Sequence, residues 1–200
     1  MATFLDKKHI RDSLRRQRQT LSPQKRISFA KKITQSIAAL PAFQKGQQIG
    51  CYLAAEGEVS TEFIIQVAKQ TNKQVYLPAI DINHPRQLVF YHYQFNDPLI
   101  KNRFGIHEPD TKNQKLISPD KLDLVFLPLV AFDISGNRIG RGAGYYDRTF
   151  AFLLNVHRRK TILIGLAYAF QKIPIIQPDA WDIPLNMVVT EKQIYSSQIL

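Results

Sequence analysis

A glycine-rich segment at positions 136–148, GNRIGRGAGYYDR, holds the residue types best suited to chemistry in this chain. Four glycines fall within nine residues, and glycine lets backbone N–H groups approach a ligand closely. Two interleaved arginines add planar sets of donors that match phosphate oxygens. A helix is predicted to begin near Gly144 and to run through Phe152, so its first amides would favour an anion. Asp147 would lie in the first turn, where a carboxylate can hold Mg²⁺ beside phosphates. The segment therefore predicts a nucleotide-phosphate loop.

Two familiar phosphate-binding motifs do not fit this segment. A Walker A loop requires G-x-x-x-x-G-K-S/T, and the chain contains no Gly-Lys-Ser or Gly-Lys-Thr. The dinucleotide fingerprint G-x-G-x-x-G would need a glycine at the position of Tyr145. A flexible surface hairpin is the structural alternative, but a solvated turn gives no reason to combine glycines with arginines, tyrosines and an aspartate.

Length and composition describe a globular chain. The 200 residues suit one domain, 1–200, and a hydrophobic fraction of 44% is normal for a folded protein. No apolar run has membrane-spanning length and the first residues lack a signal-peptide core, so a cytoplasmic location is expected. The single cysteine, Cys51, lies in a predicted strand and is interpreted as a core residue. The five histidines show no spacing typical of a zinc site.

The net charge of +11 is concentrated near the N-terminus. Residues 1–32 contain ten Lys or Arg and two Asp, a net charge of +8, whereas residues 33–200 contribute only +3. Lys8, Arg11, Arg15 and Arg18 have the spacing of one stripe on a helix, with Lys7 on a neighbouring face. The stripe is consistent with a solvated helix face, with an anionic ligand or with nucleic acid, and the spacing alone does not choose among them.

The order of predicted elements favours an α/β protein. Helices are predicted over 6–19, 23–40 and 61–70, the second with Ser22 as N-cap and Pro23 at its first position. Strands are predicted over 48–53, 74–78, 88–93, 122–130, 161–166, 187–190 and 193–196, and the region 79–120 is expected to hold long loops around one short strand. Alternating strands and helices predict a mainly parallel sheet with helices on both faces. Ligands of such sheets bind at the carboxyl ends of strands, and the glycine-rich segment follows such an end.

Five separated segments resemble, in the correct order, landmarks of the 5-formyltetrahydrofolate cyclo-ligase family, also called methenyltetrahydrofolate synthetase. They are KKHIR at 7–11, EVST at 58–61, FGIHEP at 104–109, the glycine-rich segment, and DIPLNMVVT at 182–190. The resemblance covers nearly the whole chain, from about residue 7 to residue 191. It implies a Rossmann-like fold of the sugar-isomerase and coenzyme-A-transferase type.

The resemblance also implies a reaction. In this family ATP and 5-formyltetrahydrofolate become 5,10-methenyltetrahydrofolate, ADP and phosphate, with Mg²⁺ as cofactor. The formyl oxygen is thought to attack the γ-phosphate, after which nitrogen 10 attacks the activated formyl carbon and phosphate leaves. The residues suit this chemistry, because arginine donors, backbone amides and Mg²⁺ can neutralise phosphate charge without a covalent nucleophile.

Residue roles follow from the matched motifs. Arg141 and Tyr145 are the expected catalytic groups, Asp147 and Asp182 match Mg²⁺-binding positions, and Asp182 has the alternative of a helix or turn cap. Leu53, Glu58 and Phe104 are expected at the folate, together with 141–145, and Glu58 would pair with the pterin N–H groups. The matched ATP contacts are Lys7, Lys8, His9, Ile10, Arg11, Arg138, Ile139, Gly140, Arg141, Gly142, Ala143, Gly144, Tyr145 and Tyr146.

The sequence departs from the family pattern at a few positions. Phe104 stands where relatives often carry tryptophan, Trp181 where many have histidine, and Asn186 where they usually have a second aspartate. The expected partners are 5-formyltetrahydrofolate and ATP, without nucleic acid or membrane, for a monomer. Three alternatives stay open at this point: a nucleic-acid-binding protein that uses the basic helices, a binding paralogue without turnover, and another ATP-dependent enzyme on the same scaffold.

Overall fold

The computed structural model describes residues 6–94, 96–103, 105–110, 115–154 and 161–197. Its helices are α1 (Lys7–Gln19), α2 (Pro23–Ala38), α3 (Pro41–Lys45), α4 (Glu62–Gln70) and α5 (Tyr145–Thr149). Its strands are β1 (Gln48–Gly50), β2 (Gln74–Ile80), β3 (Leu88–His92), β4 (Leu99–Lys101), β5 (His107–Pro109), β6 (Leu116–Ile117), β7 (Leu124–Pro128), β8 (Ala131–Phe132), β9 (Arg138–Ile139), β10 (Ile162–Leu166), β11 (Met187–Val189) and β12 (Ile194–Ser196). Short 3₁₀ turns occur at Pro119–Lys121, Ala151–Leu154 and Ala169–Gln171.

The main sheet of the described residues has the strand order β12-β11-β10-β7-β1-β2-β3-β6. The five strands from β11 to β2 run parallel to their neighbours, while β12, β3 and β6 add antiparallel pairs at the two sides. The predicted α/β class and mainly parallel sheet are confirmed. The longest described helix, α2, has 16 residues, and no helix in the described ranges has the length and apolar character to span a bilayer.

Two hydrophobic layers cover the faces of this sheet. β7 is a continuous apolar strand, and its residues alternate between the layers: Phe126 packs with Ile33 and Ile64 of α2 and α4. Leu127 packs on the other face with Phe150, which directly follows α5. Helical elements therefore lie on both faces, as predicted, because a strand buried on both sides needs an apolar partner on each. Cys51 lies fully buried in the first layer, as expected.

The buried apolar residues of helix α1 belong to a third cluster, separate from the two layers on the sheet. The helix cap Asp6 accepts a hydrogen bond from the Lys8 amide at 3.0 Å, which satisfies one of the first free N–H groups. Ile10 and Leu14, one turn apart, pack against Val130, Ile139 and their neighbours near β8 and β9. The apolar stripe of this otherwise basic helix thus attaches it to the hairpin that leads into the glycine-rich segment.

The structure corrects several predicted boundaries. The region 79–120 contains β3, β4, β5 and β6 rather than one short strand, and the helix expected from Gly144 through Phe152 ends at Thr149 and is followed by a 3₁₀ turn. The missed strands are only two or three residues long, too short for an apolar alternation to be visible in sequence. The short α5 also weakens the expected contribution of a helix dipole to anion binding, which leaves that task to arginines and loop amides.

Gly136 has a structural role at the start of the glycine-rich segment. Its φ is +86°, and a Cβ added there would lie 2.4 Å from the Leu185 carbonyl oxygen. The Leu185 amide donates to the Gly136 carbonyl oxygen at 2.9 Å, so the two segments are held in direct backbone contact. Gly136 does not line the cavity described below, and its close packing explains why glycine is required there.

Gly136→Ala is expected to lower the free energy of unfolding by more than about 1 kcal/mol, because both the positive φ and the Leu185 carbonyl oppose a side chain. Gly140→Ala is the matched control, since an added Cβ at Gly140 meets no atom within 4 Å. Urea unfolding of both variants measures the difference. Equal stability of the two variants would contradict this account of Gly136.

Candidate active site

A cavity of about 930 Å³ opens where the parallel strands β1, β2 and β7 end. The start of α1 and the glycine-rich segment form one wall, and the loop after β1 forms another. The carboxyl ends of the strands are where the α/β topology predicted a ligand site. The predicted site residues that line it are Lys7, Arg11, Leu53, Glu58, Arg138, Ile139, Gly140, Arg141, Gly142, Ala143, Gly144, Tyr145, Tyr146, Asp147 and Asp182.

A few predicted residues lie elsewhere. Lys8 and His9 are exposed on α1 and do not line the cavity, and Ile10 packs in the apolar cluster beneath that helix. Positions one or two residues apart on a helix face different directions, whereas Lys7 and Arg11 are four apart and share the cavity side. Phe104 lies outside the described residues.

The glycine-rich segment is held in place by its neighbours. The Val130 amide donates to the Ile139 carbonyl oxygen at 2.7 Å, which closes the β8–β9 hairpin. Arg11 Nε donates to the Gly140 carbonyl oxygen at 2.8 Å. Gly144 caps α5 with a φ of +64°, a left-handed conformation that side chains disfavour. Residues of helix α1 and of the glycine-rich segment were both predicted to bind ATP. The Arg11 contact shows that the helix also holds this segment in place.

Glu58 lies in a tightly bonded loop after β1. The Tyr52 hydroxyl donates to the Val59 carbonyl oxygen at 2.7 Å, and the Thr61 hydroxyl donates back to the Tyr52 carbonyl oxygen. The Ala55 amide donates to Glu58 Oε2 at 3.1 Å. The Glu58 side chain is only 5% exposed, so this network presents one nearly buried carboxylate on the cavity wall.

Arg141 pairs with Glu58 across 83 positions of sequence. Arg141 Nε lies 3.0 Å and a terminal nitrogen 2.9 Å from Glu58 Oε1, and the guanidinium is 3.8 Å from Glu56. Burial raises the pKa of the Glu58 carboxyl, and the charge of Arg141 is the largest influence that opposes the rise. The structure thus joins the predicted catalytic arginine to the predicted folate-binding carboxylate, a contact that the sequence did not reveal.

The basic stripe of α1 is not a uniformly solvated face. Arg15 is exposed and pairs with Glu56 at 2.6 Å, but Arg18 is only 1% exposed and lies 4.0 Å from Glu58. The solvated-face interpretation is therefore wrong for Arg18. The helix carries this arginine beneath the loop that holds Glu58, and no periodicity in the sequence indicates which loop covers it.

Asp147 and Asp182 lie on the same side of the cavity, each already in a protein contact. Asp147 Oδ1 accepts from Arg138 at 2.6 Å and from the Ile183 amide at 3.2 Å. Asp182 Oδ2 accepts from the Asp179 amide at 2.9 Å, the turn contact considered from sequence. Among the residues with described positions, no group of three ligating side chains forms a ready cation site. Two carboxylates nevertheless suit Mg²⁺, which commonly combines one or two with phosphate oxygens and water.

The two adjacent tyrosines differ in setting. Tyr146 stacks on Phe150 with ring centroids 6.4 Å apart and packs against the second hydrophobic layer. Burial raises the pKa of the Tyr146 hydroxyl. The Tyr145 hydroxyl accepts from Arg103 at 2.8 Å, and the Arg148 guanidinium lies over its ring. Tyr146 is thus the packed aromatic of the pair, and Tyr145 is the more polar one.

Sequence reasoning missed several cavity residues. One of them is Glu108, which accepts from Asn102 at 3.1 Å. Glu108 belongs to the FGIHEP landmark, so its place in that motif could have indicated a site residue. Asn186 lies away from the cavity: it precedes β11, and its Oδ1 accepts from the Leu163 amide at 2.8 Å. Its departure from the family pattern therefore affects the start of two strands rather than a metal contact. Other cavity residues not predicted as site residues include Glu56, His107, Arg148, Asp179 and Trp181.

Comparisons with known proteins agree with this architecture. The sequence model of the 5-formyltetrahydrofolate cyclo-ligase family matches residues 4–191. The chain is 36% identical over 179 residues to 5-formyltetrahydrofolate cyclo-ligase of Haemophilus influenzae, covering 90% of this chain and 94% of that protein. It is 31% identical over 182 residues to the Escherichia coli K12 enzyme of the same name, covering 91% and 98%. The solution structure of 5,10-methenyltetrahydrofolate synthetase from Aquifex aeolicus superposes with a TM-score of 0.80 at 30% identity, covering 96% of this chain and 93% of that one.

The fold is that of an α/β protein with a cavity at the carboxyl ends of its parallel strands. Because the match extends over nearly the whole chain, the protein belongs to the 5-formyltetrahydrofolate cyclo-ligase family, whose members are ligases of folate one-carbon metabolism. The resemblance noted in the sequence is thereby confirmed.

Proposed function

We propose that this protein catalyses the ATP- and Mg²⁺-dependent cyclisation of 5-formyltetrahydrofolate to 5,10-methenyltetrahydrofolate, with release of ADP and phosphate. The observation that carries the proposal is the meeting of Glu58 and Arg141 in a cavity whose wall also contains Lys7, Arg11 and the glycine-rich segment. A carboxylate for the pterin and cations for the phosphates thus share one space. Family membership and the activities named for the relatives support the same substrates.

The two substrates would occupy different parts of the cavity. Glu58 and Leu53 lie on the loop after β1, where we place the pterin, because Glu58 can accept from paired N–H groups. Lys7 and Arg11 lie one helical turn apart, and we place the phosphate chain of ATP between them and Gly140–Gly144. A volume of about 930 Å³ is at the upper end of typical ligand sites and suits two molecules meeting end to end.

The reaction needs a poor leaving group to be activated. The formyl oxygen attacks the γ-phosphorus, the bond to ADP breaks, and the formyl carbon becomes electrophilic. Nitrogen 10 then adds to that carbon and loses its proton, and the former formyl oxygen leaves within phosphate as the ring closes. The protein accelerates these steps by alignment and by stabilising phosphoryl charge, which we assign to Arg141, while the Tyr145 hydroxyl orients the formyl group.

Asp147 and Asp182 would hold the magnesium ion that accompanies ATP. When bound, Mg²⁺ neutralises phosphate charge and fixes the geometry of the phosphate chain. Asp147 Oδ1 already accepts from Arg138, so Asp147 would offer the ion its other oxygen. Arg138 itself is nearly buried and also donates to the Ile183 carbonyl oxygen, so it orders the carboxylate and the 182–183 segment.

Asp147→Asn is expected to raise the Mg²⁺ concentration needed for half-maximal activity severalfold, because an amide oxygen is a weaker ligand than a carboxylate. Asp179→Asn is the matched control: Asp179 also lines the cavity but pairs with Lys7 at 2.8 Å. Metal titrations of turnover at saturating ATP measure the shift, and thermal melting separates it from loss of the Arg138 contact. An unchanged metal titration in a folded Asp147→Asn variant would contradict the assignment.

A further inference from the structure

Arg18 is a buried arginine, and among the described acidic residues Glu58 has the largest influence on its charge, ahead of Glu56. Its side chain is 1% exposed, its Nε has no hydrogen-bond partner, and Nη1 lies 3.4 Å from the Leu129 carbonyl oxygen. Glu58 Oε1, at 4.0 Å, is the carboxylate within ion-pair distance. Burying a guanidinium is costly unless it is paired, so this position needs an explanation beyond packing.

Arg141 contacts the same Glu58 oxygen, but it is much more exposed than Arg18. It extends from the glycine-rich segment, its side chain is 34% exposed, and it lies 2.9 Å from Glu58 Oε1. The proposed function requires Arg141 to contact the transferring phosphoryl group. A guanidinium that turns towards phosphate gives up much of its contact with Glu58, and a carboxylate only 5% exposed would then lose its nearest cation.

We propose that Arg18 is a positioning residue that keeps Glu58 ionised and oriented towards the folate while Arg141 moves to the phosphoryl group. This inference rests on the proposed function, since it assumes that Glu58 binds the pterin. Arg18 is suited to the task because it is fixed on α1 and is enclosed: Gly57 lies against its backbone, and Arg26 donates to its carbonyl oxygen at 3.2 Å. Arg18 thus stays beside Glu58 throughout, whereas Arg141 leaves Glu58 for the phosphoryl group.

The ionisation of Glu58 depends on charged and titratable groups from several elements. Those that face it are Arg18 on α1, Tyr52 and Glu56 on its own loop, Arg141, Tyr146 on α5 and Tyr168 after β10. Burial raises the pKa of Glu58, and Arg141 and Arg18 oppose that rise. Removing the charge of Arg18 therefore raises this pKa further, so folate affinity, which requires the carboxylate, should begin to fall at a higher pH as the solution is acidified.

The test compares Arg18→Gln with Arg18→Lys, which differ mainly in charge, each in the wild-type and in the Glu58→Gln background. Calorimetry with 5-formyltetrahydrofolate and a non-hydrolysable ATP analogue measures folate affinity across pH. Arg16→Met is the control, because Arg16 is an exposed arginine of the same helix whose Nε donates to the Asp12 carbonyl oxygen. Arg18→Met replaces Arg18→Gln if the latter does not fold.

We expect Arg18→Gln to weaken folate binding at least tenfold in the wild-type background and less than twofold beside Glu58→Gln. Arg18→Lys should recover part of the affinity, and the acidic fall in affinity should move to higher pH only where Glu58 is present. An equal loss in both backgrounds would overturn the role of Arg18 and leave the proposed function intact. Normal folate affinity in Glu58→Gln alone would overturn the pterin assignment and this inference with it.

Discussion

Arg141→Ala is expected to lower turnover by two orders of magnitude or more, with a much smaller change in ATP and folate affinity. A charged donor that stabilises the phosphoryl group in the transition state contributes roughly 3 kcal/mol, which corresponds to that factor. The structure adds a second effect, because Arg141 also offsets the raised pKa of the buried Glu58. Steady-state kinetics at pH 8 and at pH 6 separate the two effects, since only the second grows as the solution is acidified.

Two variants make this prediction specific to Arg141. Arg141→Lys retains the charge but loses the planar set of donors, so it should recover only part of the lost rate. Arg16→Ala removes an exposed arginine whose Nε donates to the Asp12 carbonyl oxygen in its own helix, and its turnover should match that of the wild type. Near-normal turnover in a folded Arg141→Ala variant would remove Arg141 from the catalytic machinery.

Glu58→Gln is expected to weaken binding of 5-formyltetrahydrofolate by roughly 10- to 100-fold and to leave ATP binding nearly unchanged. Hydrogen bonds to a charged acceptor contribute about 1.5–3 kcal/mol, and the amide loses the charge and one acceptor position. Calorimetric titration with each ligand separately measures both affinities. The exposed Glu62, in the first turn of α4, supplies the control Glu62→Gln.

The losses of folate and ATP affinity in Glu58→Gln, compared with each other, distinguish two roles for Glu58. Loss of folate affinity alone supports a direct contact with the pterin. Equal losses of folate and ATP affinity would show that Glu58 holds the cavity together through Arg141 and the loop after β1, rather than binding one substrate. A thermal melt accompanies each titration to identify unfolding.

The parts of the fold that sequence could predict are those with strong local signals. The Ser22–Pro23 start of α2 was correct because a cap and a proline act within a few residues: Ser22 Oγ accepts from the Lys25 amide at 3.3 Å. The buried run of β7 was likewise recognisable from composition. The β4–β5 and β8–β9 pairs were not, because strands of two or three residues owe their geometry to neighbours distant in sequence.

The same distinction applies to the site. The glycine-rich segment is recognisable from its composition, and Lys7 and Arg11, which the KKHIR motif gave as ATP contacts, both line the cavity. The pairing of Glu58 with Arg141 depends on how two loops meet at the end of the sheet, which no local pattern encodes. Burial of Arg18 is of the same kind: its spacing matches exposed Arg15, and only the covering loop distinguishes them.

The central claim is tested most directly by following the absorbance of the methenyl chromophore in purified protein mixed with 5-formyltetrahydrofolate, Mg²⁺ and ATP. The account predicts a rise that requires all three components and is accompanied by release of one phosphate for each methenyl group formed. No rise in protein that binds both ATP and 5-formyltetrahydrofolate would contradict it, and would identify the chain as a binding paralogue without turnover.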